Sequence, residues 1–213
     1  MSEACARIHV LFNQLERFRF PFDASRIPRN GIYVLFEAGE RAHGVDRIVR
    51  VGTHTGDGQL RSRLQQHFWK ENKDRSIFRK NIGRSLLNRD HDPFLTAWEL
   101  DLTTREAKNR YEGQIDVARQ RQVEQRVTEY LQGNLSFVVF EVNDKEDRLL
   151  LESKIISTVS LCRECQPSPQ WLGLASPKDK IRESGLWLVN ELYKEPLAIH
   201  EVTILETLTQ RHR

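Results

Sequence analysis

The sequence predicts an α+β fold in which a small three-stranded sheet is flanked by helices, with a helical insertion and a C-terminal elaboration. Three apolar runs indicate the strands: residues 31–36, 47–53 and 136–142. The third run is nearly continuous in apolar residues, which is typical of a central strand buried on both faces. Around these runs, apolar residues recur at helical spacing, which predicts the flanking helices.

The first two runs predict a β-hairpin. Asn30-Gly31 is a turn signal, and the first strand begins directly after it. Residues 37–46 are polar and contain glycine, so we expect a loop there. Residues 47–53 mix charged and apolar side chains in alternation, as a second strand does, and a hairpin is the simplest way to pair the two.

Apolar residues at helical spacing predict the helices. The first helix is amphipathic, and the segment 104–132 is highly charged with only a thin apolar edge. Asn143-Asp144 is a capping signal for the helix that follows the third strand. Residues 178–184 and 186–194 are interpreted as short helices in an irregular region. The longer helices are predicted at 4–18, 59–70, 75–88, 104–132, 145–160 and 198–208, the last preferred over a strand.

These elements predict three parts of the chain. Residues 1–30 form an N-terminal helical segment, and residues 31–160 form the core. A helical insertion at about 71–134 interrupts that core. Residues 161–213 form a C-terminal extension that packs on it.

Composition limits the classes of protein. The chain has 213 residues with a formal net charge of +3, and this mild basicity permits a nucleic-acid partner without requiring one. The chain has only three cysteines. So small and odd a set does not make a disulfide scaffold, which favours a reducing compartment. No signal peptide and no apolar run of the ~20 residues that span a bilayer are found. We therefore expect a soluble, cytoplasmic protein with no membrane partner.

Arg63 and His67 lie four residues apart in the segment predicted as a helix directly after the hairpin, so they share one helix face. A guanidinium offers a planar fork to phosphate oxygens, and an imidazole can move a proton near neutral pH. The pair could therefore bind and polarise a phosphate. A solvated helix face is the competing interpretation.

The order of these residues resembles the GIY-YIG nuclease family. Gly31-Ile32-Tyr33 stands as the first tripeptide, and Arg50-Val51-Gly52 occupies the place of the second. Leu60-x-x-Arg63-x-x-x-His67 matches the first helix of the family, and Glu152 matches the glutamate of the helix after the third strand. The resemblance covers roughly residues 31–70 and 135–160.

This resemblance implies a metal-dependent endonuclease that hydrolyses DNA. It assigns catalytic roles to Tyr33, Arg63, His67 and Glu152, with Gly31 and Gly52 as structural motif residues. Arg63 would stabilise charge on the phosphate, and either Tyr33 or His67 would activate water. Arg50 replaces the second tyrosine of the family, and the segment between the two tripeptides is longer than usual.

The resemblance makes Glu152 the ligand of a single Mg²⁺ or Mn²⁺ ion. A hard divalent cation takes carboxylate oxygen, and one or two protein ligands suffice when water and phosphate complete the shell. The competing interpretation is that Glu152 faces solvent and pairs with Arg148 four residues earlier.

Further cations near the proposed site suggest a groove for DNA, since positive side chains follow the phosphate backbone. A solvated helix face is nearly as good an interpretation of any single one. The candidates are Arg50, Arg61, Lys70, Arg79, Lys80 and Arg84.

Two other motifs could hold a ligand. Cys162-x-x-Cys165 has the spacing of a zinc knuckle, but a structural zinc site needs four ligands and no second cysteine pair exists. His200 could contribute, yet zinc is disfavoured on this sequence. The glycine-rich stretch from Gly52 to Gly58 could cradle a phosphate, and a plain turn is the preferred interpretation.

Two alternatives to the nuclease stay open. The first is a DNA-binding module that has lost turnover, because Arg50 replaces a tyrosine. The second is a protein–protein adaptor that uses the helix at 104–132. Cutting both DNA strands with one such site would call for two binding events or a homodimer.

Overall fold

A four-stranded sheet organises the computed structural model, which describes residues 2–111 and 113–210. The strands are β1 (Phe18–Arg19), β2 (Ile32–Ala42), β3 (Val45–Gly52) and β4 (Leu135–Phe140). Their order is β1-β4-β2-β3, and each neighbouring pair is antiparallel. The α+β class is confirmed, whereas the count of three strands is wrong because β1, only two residues long, pairs with the edge of β4.

The hairpin is longer than predicted. Residues 37–46 were expected to form a loop, but β2 runs on to Ala42 and β3 starts at Val45, so the turn is His43-Gly44. The pairing register shifts on both sides of Phe36, which lets polar residues continue the strand beyond the apolar run.

Nine α-helices surround the sheet in the described part of the chain. The predicted tail helix and the turn at 178–184 are confirmed, while residues 186–194 are irregular. The first helix ends at Asn13 rather than at residue 18. The helices are α1 (Ser2–Asn13), α2 (Leu60–Phe68), α3 (Ile77–Arg89), α4 (Leu95–Glu99), α5 (Arg105–Arg110), α6 (Val117–Asn134), α7 (Lys145–Ser160), α8 (Asp179–Ser184) and α9 (Ile199–Gln210).

The long helix expected at 104–132 is two helices. The first, α5, ends at Arg110, and α6 begins at Val117 after a cap in which Asp116 accepts a hydrogen bond from the Arg119 amide. Gly113 has a φ of 74°, a left-handed conformation that interrupts a helix. Glu112 lies outside the described residues. Four helices, α3 to α6, thus occupy the predicted insertion.

Side chains of the sheet alternate between two helical layers. Ile32, Val34 and Phe36 pack with α1, α7 and α9 on one face. Tyr33 and Leu35 point to the opposite face, where they pack with α2, α3 and α6. Because side chains of a strand point alternately to its two faces, β2 is buried on both sides. Tyr33 therefore faces α2, the helix that carries His67.

A buried ion pair joins α3 to α6 within the second layer. Arg79 donates from Nε and Nη2 to Glu124 Oε2 at 3.0 and 2.8 Å, and both side chains are almost completely buried. Arg79 Nη1 also donates to the carbonyl of His67 at 2.9 Å. The pair therefore fixes the end of α2 as well as the two longer helices.

We expect Arg79→Met to lower the free energy of unfolding by about 3–5 kcal/mol, because Glu124 would be left charged and unpaired in the interior. Urea unfolding at pH 7 measures the change. The double variant Arg79→Met/Glu124→Leu should recover most of the loss, since no buried charge remains. Arg121→Met, at an exposed position of α6, is the control and should change stability by less than about 0.5 kcal/mol. A loss as small as that of the control for Arg79→Met would contradict this account.

Candidate active site

Tyr33 and His67 form a buried hydrogen-bonded pair. Tyr33 Oη lies 2.9 Å from His67 Nε2, and His67 Nδ1 lies 2.8 Å from Ser76 Oγ. Ser76 is also the N-cap of α3, where its hydroxyl accepts a hydrogen bond from the Arg79 amide. The start of α3 therefore orients His67, and His67 orients the tyrosine.

The pKa of His67 lies well below its ordinary value. Complete burial is the main cause, and the positive charges of Arg63, Arg50 and Arg79 act in the same direction. The imidazole is therefore neutral at pH 7. A neutral imidazole has one donor and one acceptor nitrogen, so Tyr33 and Ser76 take complementary roles on either side of it.

The lowered pKa of His67 predicts that the free energy of unfolding falls in mild acid. Below a pH of about 6.5 the unfolded chain protonates His67 while the folded chain does not, so protons favour unfolding. Between pH 7 and 5.5 this one group should remove about 1 kcal/mol from the free energy of unfolding. Comparing urea unfolding of wild type and His67→Gln at both pH values isolates the effect, because the other groups are common to both proteins. Equal losses in the two proteins would contradict the prediction.

Both motif glycines are required by close packing. A Cβ at position 52 would lie 2.2 Å from Tyr33 Oη, because Gly52 is the direct partner of Tyr33 across the β2–β3 pair. A Cβ at position 31 would lie 2.2 Å from the carbonyl oxygen of Phe140. Gly52 therefore makes room for the tyrosine hydroxyl, and Gly31 lets β2 approach β4.

Glu152 reaches the same region from the opposite layer. It lies on α7, and its Oε1 accepts a hydrogen bond from the Thr53 amide at 3.1 Å. Thr53 follows Gly52, and its hydroxyl donates to the Gly31 carbonyl at 2.7 Å. The pairing of Glu152 with Arg148 is not seen among the described residues, because Arg148 donates to the carbonyls of Val142 and Asn143 instead.

Arg50 and Glu152 influence each other electrostatically. Burial raises the pKa of the Glu152 carboxyl, while the charge of Arg50 and the Thr53 hydrogen bond oppose that rise. Arg50 itself is buried, donates from Nη1 to the Trp187 carbonyl and lies 4.8 Å from the Phe78 ring centroid. A buried cation thus occupies position 50, two residues before Gly52.

Arg63 lies at the rim of a cavity beside these groups. The cavity has a volume of about 300 Å³. Arg63 Nη1 donates to Gln66 Oε1 and to the Arg75 carbonyl, each at 3.2 Å. The charge of Arg63 acts on both His67 and Glu152. The cavity is lined by Thr53, His54, Thr55, Gln59, Ser62, Arg63 and Gln66, all of them polar.

Four of the six cations proposed for a DNA groove are buried and have partners inside the protein. Arg79 pairs with Glu124, and Arg84 donates to both carboxylate oxygens of Glu99 at 2.6 Å. Lys80 donates to the Glu99 carbonyl at 2.9 Å, and Arg50 faces Trp187. Their burial corrects the expectation that they form an exposed groove. Lys70 is exposed, and Arg61 donates to the carbonyls of Ile27 and Ser25.

Several residues that build the site were not singled out from the sequence. The Thr53 amide donates a hydrogen bond to Glu152, and Ser76 orients His67. The Trp187 carbonyl accepts a hydrogen bond from Arg50. Ser76 carries a readable signal, since a serine before a helical run is an N-cap. Thr53 and Trp187 act through backbone atoms, and their positions depend on the tertiary fold.

No helix in residues 2–111 and 113–210 combines the length and apolarity needed to cross a membrane.

Comparison with known proteins gives one match. A family model described as GIY-YIG domain matches residues 6–212, which include the sheet and all the residues of the site. The comparisons with curated proteins and with solved structures gave no match.

Proposed function

This chain belongs to the GIY-YIG family, and we propose that it is a metal-dependent endonuclease that hydrolyses DNA phosphodiester bonds. Members of this family are generally endonucleases, and the match covers almost the entire sequence. The geometry of the site supports the metal, the catalytic residues and the DNA substrate that we propose.

The contact between Glu152 and the Thr53 amide carries the proposal. It brings a carboxylate from α7 to the end of β3, at the residue after Gly52, the glycine that makes room for the hydroxyl of Tyr33. Thr53 also lines the cavity into which Arg63 faces. Arg63 and Thr53 thus line one small polar cavity, and the carboxylate of Glu152 contacts the amide of Thr53, an arrangement that suits a phosphate group.

The donors present fit a single hard cation. Glu152 uses Oε1 for the Thr53 amide, and no hydrogen bond reaches its Oε2 from the described residues. A partly desolvated carboxylate gains from a divalent cation, and Mg²⁺ is commonly held by one or two carboxylates with water and substrate phosphate. When bound, the ion would supply Lewis-acid stabilisation of charge on the phosphate and on the leaving oxygen.

The protein side chains position water and stabilise charge. In the proposed reaction, the Tyr33 hydroxyl donates a hydrogen bond to Nε2 of neutral His67, so its lone pairs are free to accept a hydrogen bond from the attacking water. As water adds to phosphorus, its proton passes to the Tyr33 oxygen while the tyrosine proton moves to His67. The bond from phosphorus to the 3′ oxygen breaks, and that oxygen takes up a proton from solvent. Arg63 stabilises the negative charge that grows on the phosphate oxygens.

Arg50 acts electrostatically on the proposed metal ligand. Burial raises the pKa of the Glu152 carboxyl, and the charge of Arg50 opposes that rise. We infer that Arg50 is a positioning residue that favours the ionised form of Glu152, which a metal ligand needs. A DNA-binding module without turnover is the alternative, and the predicted homodimer stays a prediction.

The test is cleavage by the purified wild-type protein. Supercoiled plasmid and branched DNA are incubated with protein in Mg²⁺, in Mn²⁺ or in EDTA, and a gel shift is run on the same substrates. Nicking in either metal and none in EDTA is the expected result. Salt-dependent binding without cleavage in any condition would favour the inactive module, and the absence of both would refute a role on DNA.

A further inference from the structure

A second group of potential metal ligands lies away from the candidate active site. Ligand atoms of Cys5, His9, His43 and Cys165 all lie within 4.8 Å of one another. Cys162 joins them, because its Sγ is 3.5 Å from His43 Nε2. All three thiols are buried, and the side chain of His43 is only 5% exposed. A group of thiols and imidazole closed to solvent is typical of structural metal sites.

His9 is already engaged by the backbone. Its Nδ1 lies 2.9 Å from the carbonyl oxygen of Cys5, and its Nε2 accepts from the Ile48 amide at 3.2 Å. The first nitrogen therefore carries a proton and the second has its lone pair in use. His9 thus has a structural role, which leaves Cys5, His43, Cys162 and Cys165 as the four donors.

Three distances that link these four donors are close to those of a tetrahedral zinc centre. Cys5 and Cys165 have their sulfur atoms 3.4 Å apart, and His43 Nε2 lies 3.3 Å from Cys165 Sγ and 3.5 Å from Cys162 Sγ. Tetrahedral zinc with ordinary bond lengths puts two sulfurs about 3.7 Å apart and sulfur about 3.5 Å from nitrogen. A disulfide would instead need the sulfurs at about 2.05 Å.

The surroundings of His43 fit a metal ligand as well. Its other ring nitrogen, Nδ1, lies 3.4 Å from a carboxylate oxygen of Glu164. Metal-binding histidines regularly donate their second N–H to a carboxylate or carbonyl, which fixes the ring and raises its basicity. Glu164 also lies between the two cysteines of the Cys162-x-x-Cys165 pair, so one short segment supplies two ligands and this support.

We propose that this chain holds a structural Zn²⁺ ion, bound by Cys5, His43, Cys162 and Cys165. The ligands come from α1, from the β2–β3 turn and from the segment after α7. The ion would therefore join three separate parts of the fold. Glu152 contacts Thr53, just beyond the opposite end of β3 from His43, so this site is distinct from the proposed catalytic metal.

Metal content of the untagged wild-type protein is the first test. Protein expressed in zinc-supplemented medium is dialysed against buffer without metal and analysed by mass spectrometry of the elements and by a thiol assay. We expect about one zinc per chain, with the thiols unreactive until zinc is removed. Replacement by Co²⁺ should give the intense absorption of tetrahedral cobalt bound to thiolates. These measurements need no variant and no nuclease activity.

Variants then test the ligand set. Cys162→Ser and His43→Gln should each lose most of the zinc, and Glu164→Gln should weaken zinc binding by about 10- to 100-fold. His9→Gln is the matched control inside the cluster, and His200→Gln is the control on the exposed face of α9. Both controls should keep the zinc of the wild type.

Two results would overturn the proposal. The first is wild-type protein with no zinc and either three reactive thiols or a Cys5–Cys165 disulfide. The second is zinc that survives Cys162→Ser but is lost in His9→Gln, which would refute this set of ligands. Loss of DNA cleavage alone bears on neither result, so failure of the zinc proposal and failure of the nuclease proposal are separate observations.

Discussion

Glu152→Gln is expected to reduce the single-turnover rate of DNA cleavage by about 10³-fold, the scale of losing a principal source of charge stabilisation. Glutamine has the same shape, and its oxygen can still accept the hydrogen bond from the Thr53 amide. The substitution therefore removes the charge of the proposed metal ligand and leaves the packing in place. DNA affinity in the absence of divalent metal should change little.

The matched control is Glu146→Gln, the same substitution at an exposed position of α7. It should cleave at the wild-type rate. Urea unfolding of all three proteins would separate a lost metal ligand from a lost fold. Cleavage by Glu152→Gln at the rate of this control would remove Glu152 from the mechanism.

Arg63→Ala is expected to lower the single-turnover rate of DNA cleavage by about 10²–10³-fold, the usual effect of deleting one group that stabilises transition-state charge. Within residues 2–111 and 113–210, the side chain donates hydrogen bonds to Gln66 and to the Arg75 carbonyl alone, so its loss should cost the fold little. Single-turnover rates measured with enzyme in excess over DNA report the change without a contribution from product release. Arg63→Lys should recover part of the rate, because it restores charge without the planar fork.

Lys70→Ala is the contrasting variant. Lys70 is exposed just beyond α2, where a phosphate contact would raise DNA affinity without touching the reacting bond. It should weaken binding and reduce its salt dependence while leaving the saturated cleavage rate unchanged. An equal fall in saturated rate for Lys70→Ala and Arg63→Ala would contradict the separate roles assigned to these two cations.

The central strands could be predicted from the sequence, because a strand that is buried on both faces is apolar at nearly every position. The first half of β2 is continuous in apolar residues and β4 is nearly so, and both strands were predicted. The second half of β2 is polar, and it extends only because β3 pairs with it. The short β1 has no pattern of its own and depends on β4 for its assignment.

The cations of α3 could not be interpreted correctly from helical spacing. Arg79, Lys80 and Arg84 look like an exposed face, yet α3 is buried on all sides along most of its length. Their partners, Glu124 and Glu99, come from later segments of the chain. Pairing between distant segments has no local signal, so a basic stretch predicted a DNA groove where the fold has an interior network.

The thiol cluster could not be predicted from local sequence either, because its members come from distant segments of the chain. The sequence shows the Cys162-x-x-Cys165 pair, but its partners Cys5 and His43 are more than a hundred residues away and belong to a helix and a turn. Zinc was disfavoured for want of four ligands, and His200, the fourth ligand considered, lies exposed on α9. The tertiary fold supplies the missing donors.

The most direct test of the nuclease account is the dependence of single-turnover plasmid cleavage on Mn²⁺ concentration, measured side by side for wild type and Glu152→Gln. The account predicts that the wild-type rate rises from zero and saturates as for one bound ion, while the variant stays at background over the same range. Metal-independent cleavage at equal rates by both proteins would contradict it.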